Sequence, residues 1–196
     1  MAKVGLSKPF YAMYTAAGQV VTYSNGGSMG KAVEASIEPD DNETTVFYAD
    51  NGPAESARIF SGGTLTLNVD RLDSSVVGAL FGITPGSSTT PVGTTLDFAA
   101  DAAIPYVGVG LITKSVVENT PVWMAVILTK VQFVMPTLDL ETQGEDIEFT
   151  ANELEATILR DDTAAANWMR WGYFTTEANA EAWIKGQLSI TAATTE

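Results

Sequence analysis

The stretch SNGGSMGKA, Ser24 to Ala32, comes nearest in this chain to a loop that could cradle phosphate. That chemistry needs G-x-x-x-x-G-K-[ST], with backbone N–H groups around the phosphates and a hydroxyl reaching magnesium. Asn25 stands where the first glycine belongs and Ala32 where the hydroxyl belongs, with no hydrophobic strand ahead and no clear helix behind. A flexible glycine-rich loop is therefore expected. GVGLIT, Gly108 to Thr113, holds two glycines of a dinucleotide fingerprint but runs into a β-branched stretch instead of a helix. Its glycines are expected to permit close backbone approach within a sheet. EPDDNET, Glu38 to Thr44, has the oxygen density of a calcium site without the alternating ligands, central glycine or closing glutamate of an EF-hand loop. It reads as a solvated hairpin tip.

The composition removes further chemistry. The chain has no histidine and no cysteine. The commonest general base, the commonest zinc ligand, any thiolate nucleophile and any disulfide framework are thus missing. Paired carboxylates could serve acid–base catalysis, yet none of the 24 Asp and Glu is singled out by its surroundings. Trp123, Trp168, Trp171 and Trp183 lie in apolar or amphipathic contexts that suit core or interface packing. Ten Lys and Arg leave a net charge of -14. Such a surface repels nucleic-acid phosphates, whose binding relies on Lys and Arg. No catalysis, metal or cofactor is expected.

The elements that would position these residues follow from periodicity. At 196 residues and 45% hydrophobic content the chain suits one domain, 1–196, which buries roughly 70% of its unfolded surface. It has no long apolar run, so no membrane anchor and a soluble cytoplasmic protein are expected. Alternation predicts strands in AVEASIE, with Val33, Ala35 and Ile37 on one face, and in GTLTLNVD, with Leu65, Leu67 and Val69 inward. TTVFYAD, ARIF, YVGVGLIT, VWMAVIL, KVQFVM, EDIEF and ELEATIL add further strands, VWMAVIL reading as covered on both faces. At Asp70 the period changes. Leu72, Val76, Val77 and Leu80 gather on one side of a short helix, with Asp70 or Asp73 as the side-chain cap and Gly82 past its end. A second helix is expected in TTEANAEAWIKG, capped by Thr176 and ended by Gly186, before a polar C-terminal tail. TPGSSTTPVGTT, Thr84 to Thr95, reads as an exposed connection. About ten short strands and two helices imply a mainly β, sandwich- or barrel-like fold flanked by one or two short α-helices.

Taken in order, several segments resemble the major tail protein, or tail tube subunit, of long-tailed bacteriophages. They are SIEPDDNETTVFYADNGPAES, GGTLTLNVDRLDSSVVGALFG, IPYVGVGLITKS, TKVQFVMPTLDLETQGEDIEFTANELEATI and FTTEANAEAWIK. Together they span most of the chain. The resemblance implies a β-sandwich whose copies form hexameric rings stacked into a hollow virion tail tube, assembled in the host cytoplasm. It implies tape measure, tail terminator and distal tail proteins as partners, with DNA passing through the lumen unbound. It also implies an extended loop at about 38–55 that reaches the next ring, with Asp40, Asp41, Tyr48, Asp50 and Asn51 as contact residues. A carbohydrate or cell-surface binding β-sandwich is the alternative reading.

Overall fold

The structure is a computed structural model that describes residues 2–40, 44–49, 52–58, 60–89, 91–99, 101–117, 120–135 and 152–190. It is mainly β with two short helices, built on one large antiparallel sheet that does not close. Three long strands form its middle: β1 (Ala2–Ala17), β9 (Tyr106–Val117) and β10 (Thr120–Phe133). β2 (Val20–Ser28) pairs with the outer edge of β1. Beyond the second half of β10 come β11 (Asn152–Leu159), β6 (Gly63–Val69) and β3 (Ala32–Pro39). The first half of β10 pairs instead with β12 (Met169–Phe174). Two hairpins stand off this sheet, β4 (Thr44–Ala49) with β5 (Gly52–Arg58) and β7 (Gly86–Thr89) with β8 (Val92–Thr95). The helices are α1 (Ser74–Phe81) and α2 (Glu177–Gln187).

The sheet curls because β2 and β3, at its opposite ends, are joined by Met29, Gly30 and Lys31 alone. Three linking residues span about 14 Å at most, so the two ends of the sheet must approach each other there. Gly30 makes the corner at φ 104, where a side chain would also strike the Arg71 carbonyl. Asp70 Oδ1 accepts the Lys31 N–H at 2.8 Å, and the Asp70 N–H donates to the Lys31 carbonyl. Those bonds hold the corner shut, and the Lys31 N–H keeps the Asp70 carboxyl below its usual range. The result is sandwich-like, with the long strands as one layer and β3, β6 and β11 as the other.

The main core fills the space between the layers. Leu65, Leu67 and Val69 lie beside Leu154, Ala156 and Ile158 of the neighbouring strand and share one core with Val109, Leu111, Leu128 and Phe133 of the long strands. All three residues of GTLTLNVD that alternation points inward are fully buried. α1 adds Val76, Leu80 and Phe81 to this core. A second core lies on the opposite face of the long strands, where Phe10, Ala12, Ile112, Ala125 and Ile127 pack against Ala180, Ile184 and Leu188. β10 therefore has apolar cover on both faces from Ala125 to Leu128, as VWMAVIL suggests. The glycines of GVGLIT explain how α2 comes so close. A Cβ on Gly108 would meet Leu188 at 2.8 Å, and one on Gly110 would overlap the Ile184 methyl.

Several local readings need correction. SNGGS is the end of β2 and not a loop, since the Gly26 backbone must lie tightly against Tyr11, Ala12 and Ile190. Val33 is an extra residue in β3, because Ala32 pairs with Val69 and Glu34 already with Asn68. The bulge turns Val33 outward, 60% exposed, while Ala35 and Ile37 keep the inward face. VWMAVIL and KVQFVM form one strand, whose irregular register between Leu128 and Val131 lets apolar side chains on both sides of the break face the main core. Thr84 to Thr95 is exposed, but it folds into the β7–β8 hairpin. The Asp73 backbone starts α1 while its carboxylate pairs with Arg71 at 3.2 Å, so neither Asp70 nor Asp73 caps that helix through its side chain. Gly82 does end α1 in the left-handed conformation. In α2 the Thr176 hydroxyl accepts the Asn179 N–H as expected, but the helix runs past Gly186 to bury Leu188, and Ser189 takes the left-handed position. EDIEF lies outside the described residues.

Candidate assembly interface

The segment that begins at Glu38 leaves the sheet after Pro39, the last residue of β3. Asp40 is exposed, its N–H donates to the Gly62 carbonyl at 2.8 Å, and its own carbonyl accepts the Ser61 hydroxyl at 3.2 Å. Asp40 thus closes the neck through which the chain leaves and returns. Tyr48 sits in β4 opposite Pro53, next to the closing pair Ala49 and Gly52. Asp41, Asp50 and Asn51 lie outside the described residues. Among the described residues β4 and β5 pair only with each other and join no ladder of the main sheet. A six-residue strand is about 20 Å long, so the hairpin is a sizeable element set on a narrow neck.

Two surfaces escape a reading of the sequence. The first is the outer face of β3, β6 and β11. The register lines up Glu34, Asn68 and Glu153 in one row, Ser36, Thr66 and Glu155 in the next, and Glu38, Thr64 and Thr157 in the third. Among the described residues no ion pair reaches these four carboxylates, and no cation stands among these nine positions. The second is formed by strand edges. Among the described residues β2, β3 and β12 each pair on one side only. β2 carries no charge and no proline, the usual guards of an edge strand. Alternating glutamates in AVEASIE and ELEATIL hint at the acidic face, but only the pairing shows that β6 joins them into one surface.

The strongest concentration of titratable groups is structural in arrangement. Lys130 Nζ donates to Asp162 Oδ2 at 2.7 Å and lies over the rings of Tyr14 and Tyr106. Tyr14 donates to the same carboxylate oxygen at 2.7 Å and accepts the Asp162 N–H. Burial, helped by that carboxylate, pushes the Tyr14 hydroxyl up to about 12, so it remains a phenol at neutral pH. Nearby, Asp161 Oδ1 accepts from the Thr163 hydroxyl at 2.6 Å, and Arg170 Nη2 lies 3.5 Å from its buried Oδ2. These contacts tie the segment between β11 and β12 to β1 and β10. Among the described residues no group of carboxylates could hold a metal ion.

The cluster makes a testable contribution to acid stability. Hydrogen bonds from Lys130 and Tyr14 hold the Asp162 carboxyl below its usual range. Its stabilisation is therefore complete above the unfolded carboxylate value of about 3.9 and is lost as pH falls through the lower folded value. Thermal melts of wild type and Asp162→Asn between pH 7 and 2 should converge at the acid end. Parallel curves would mean that the cluster adds nothing specific to Asp162 ionisation.

Fold and surfaces together define, among the described residues, an open antiparallel β-sandwich with unpaired strand edges, a hairpin outside the main sheet and one acidic face without a cation. No family model matches the chain, and no curated protein matches it.

Proposed function

We propose that this chain is a structural, self-assembling protein, the subunit of a tube of the phage-tail type. The observation that carries the proposal is the open sheet. Among the described residues its two ends present β2 on one side and β3 with β12 on the other, so one copy's edge can continue into the next. Contact between two different edges is heterologous, and heterologous contacts close into rings when the rotation between copies permits. Edge pairing inside an assembly also removes the aggregation hazard of unguarded strands. The face bearing Glu34, Glu38, Glu153 and Glu155 suits the wall of a conduit, where DNA must slide without phosphate contacts. Hexameric rings, a stacking role for the Asp40–Asn51 segment and tape measure, terminator and distal tail partners belong to the same proposal. Negative-stain microscopy of concentrated protein tests it, with rings or filaments of uniform diameter expected. A permanently monomeric protein that binds a glycan array would favour the adhesive β-sandwich instead.

A further inference from the structure

The two layers of the sandwich differ in length. β1, β9 and β10 have 16, 12 and 14 residues, roughly 40–55 Å, whereas β3, β6 and β11 have 8, 7 and 8, roughly 25 Å. The inner face of the long layer therefore runs on beyond its cover. Register shows the continuation: Leu111, Val126 and Trp171 lie in one row, and Thr113, Met124 and Tyr173 in the next. Leu111 and Val126 are buried, but Trp171 is 59% and Tyr173 50% exposed. Here a groove of about 750 Å³ opens, walled by Val33 and Ile37 on β3 and by Met169 and Trp171 on β12, with Leu111 and Val126 in its floor. Both walls are edge strands.

Charge narrows the choice of occupant. Glu34 is the single charged residue among the described residues lining the groove, although each copy carries a net charge of -14. Two such acidic copies repel, and a largely apolar groove with a single carboxylate at its wall is where they can meet at low cost. The chain also has an element in need of cover. Among the described residues the β4–β5 hairpin belongs to no larger sheet, and an isolated two-stranded hairpin is at best marginally stable in water. Its first strand, TTVFYA, is uncharged and rich in β-forming residues.

We propose that the groove receives the β4–β5 hairpin of a second copy, with TTVFYA laid along the free edge of β12. Strand addition supplies main-chain hydrogen bonds, and Trp171 supplies the aromatic anchor. This rests on the self-assembly reading above but names a receiving surface that the reading leaves open.

The absence of cysteine permits a direct test. Val46→Cys chains are mixed with Tyr173→Cys chains under mild oxidation, while assembly is followed by light scattering. A disulfide-linked dimer is expected in the mixture and not in either variant alone. Trp171→Ala, at an exposed position that should leave the melting temperature unchanged, is expected to raise the critical concentration at least about tenfold. Wild-type polymer with no cross-link, together with unaltered assembly of Trp171→Ala, would overturn the groove proposal and leave self-assembly standing. Wild type that never polymerises, together with no cross-link in the mixture of cysteine variants, would overturn both.

Discussion

Leu80→Asp is expected to lower the unfolding free energy by about 4 kcal/mol or more, enough to leave a typical domain only marginally folded. Leu80 has no exposure to solvent and sits in the main core with Val76 and Phe81. The substitution removes a full leucine side chain from that core. It also places there a carboxylate for which the apolar cluster offers no partner, so the residue must either take up a proton or push α1 off the sandwich. Val76→Asp acts in the same direction with a smaller effect, because Val76 retains 7% exposure. Urea denaturation checks this through a reduced midpoint at unchanged slope. Wild-type midpoints in both variants would mean that α1 does not pack against this core.

A second expectation concerns two glycines whose replacement should have opposite signs. Gly110→Ala is expected to destabilise by about 1–3 kcal/mol, since its methyl would overlap Ile184, a β-branched and fully buried residue with no room to retreat. The strain falls on α2, so amide exchange there should accelerate first. Gly186→Ala should instead stabilise by about 0.5–1 kcal/mol, because Gly186 lies within α2 with open space around it. Equal effects at the two sites would contradict the close seating of α2 on β9.

These positions show what the sequence makes legible. GTLTLNVD and ELEATIL declare themselves because each covers a single core on one face, which stamps a period of two on the residues. The α1 stripe and the Thr176 cap are equally local. β2 and β12 are harder to read because edge strands pack on few neighbours; neither SNGGS nor MRWGYF is obliged to alternate cleanly. The bulge at Val33 and the continuity of β10 are settled by partners far along the chain, and a single sequence carries no register. The same limit applies to function. AVEASIE and ELEATIL each show glutamates, yet the acidic face exists only because β6 brings the two together. Trp171 and Tyr173 are spaced for one face of a strand, but their exposure depends on how far β3 reaches over the long layer.

Among the described residues, the features without a partner in one copy are the open edges, the overhang and the β4–β5 hairpin. Under the assembly we propose, each of the three acquires a role when another copy is added. Cryo-microscopy of polymerised protein, at a resolution that traces strands, tests this most directly. The predicted result is a ring in which the ladder of one copy continues into the next, with Glu34, Glu38, Glu153 and Glu155 facing the central channel. Copies that touch only through loops, or a wall whose channel face is basic, would contradict it.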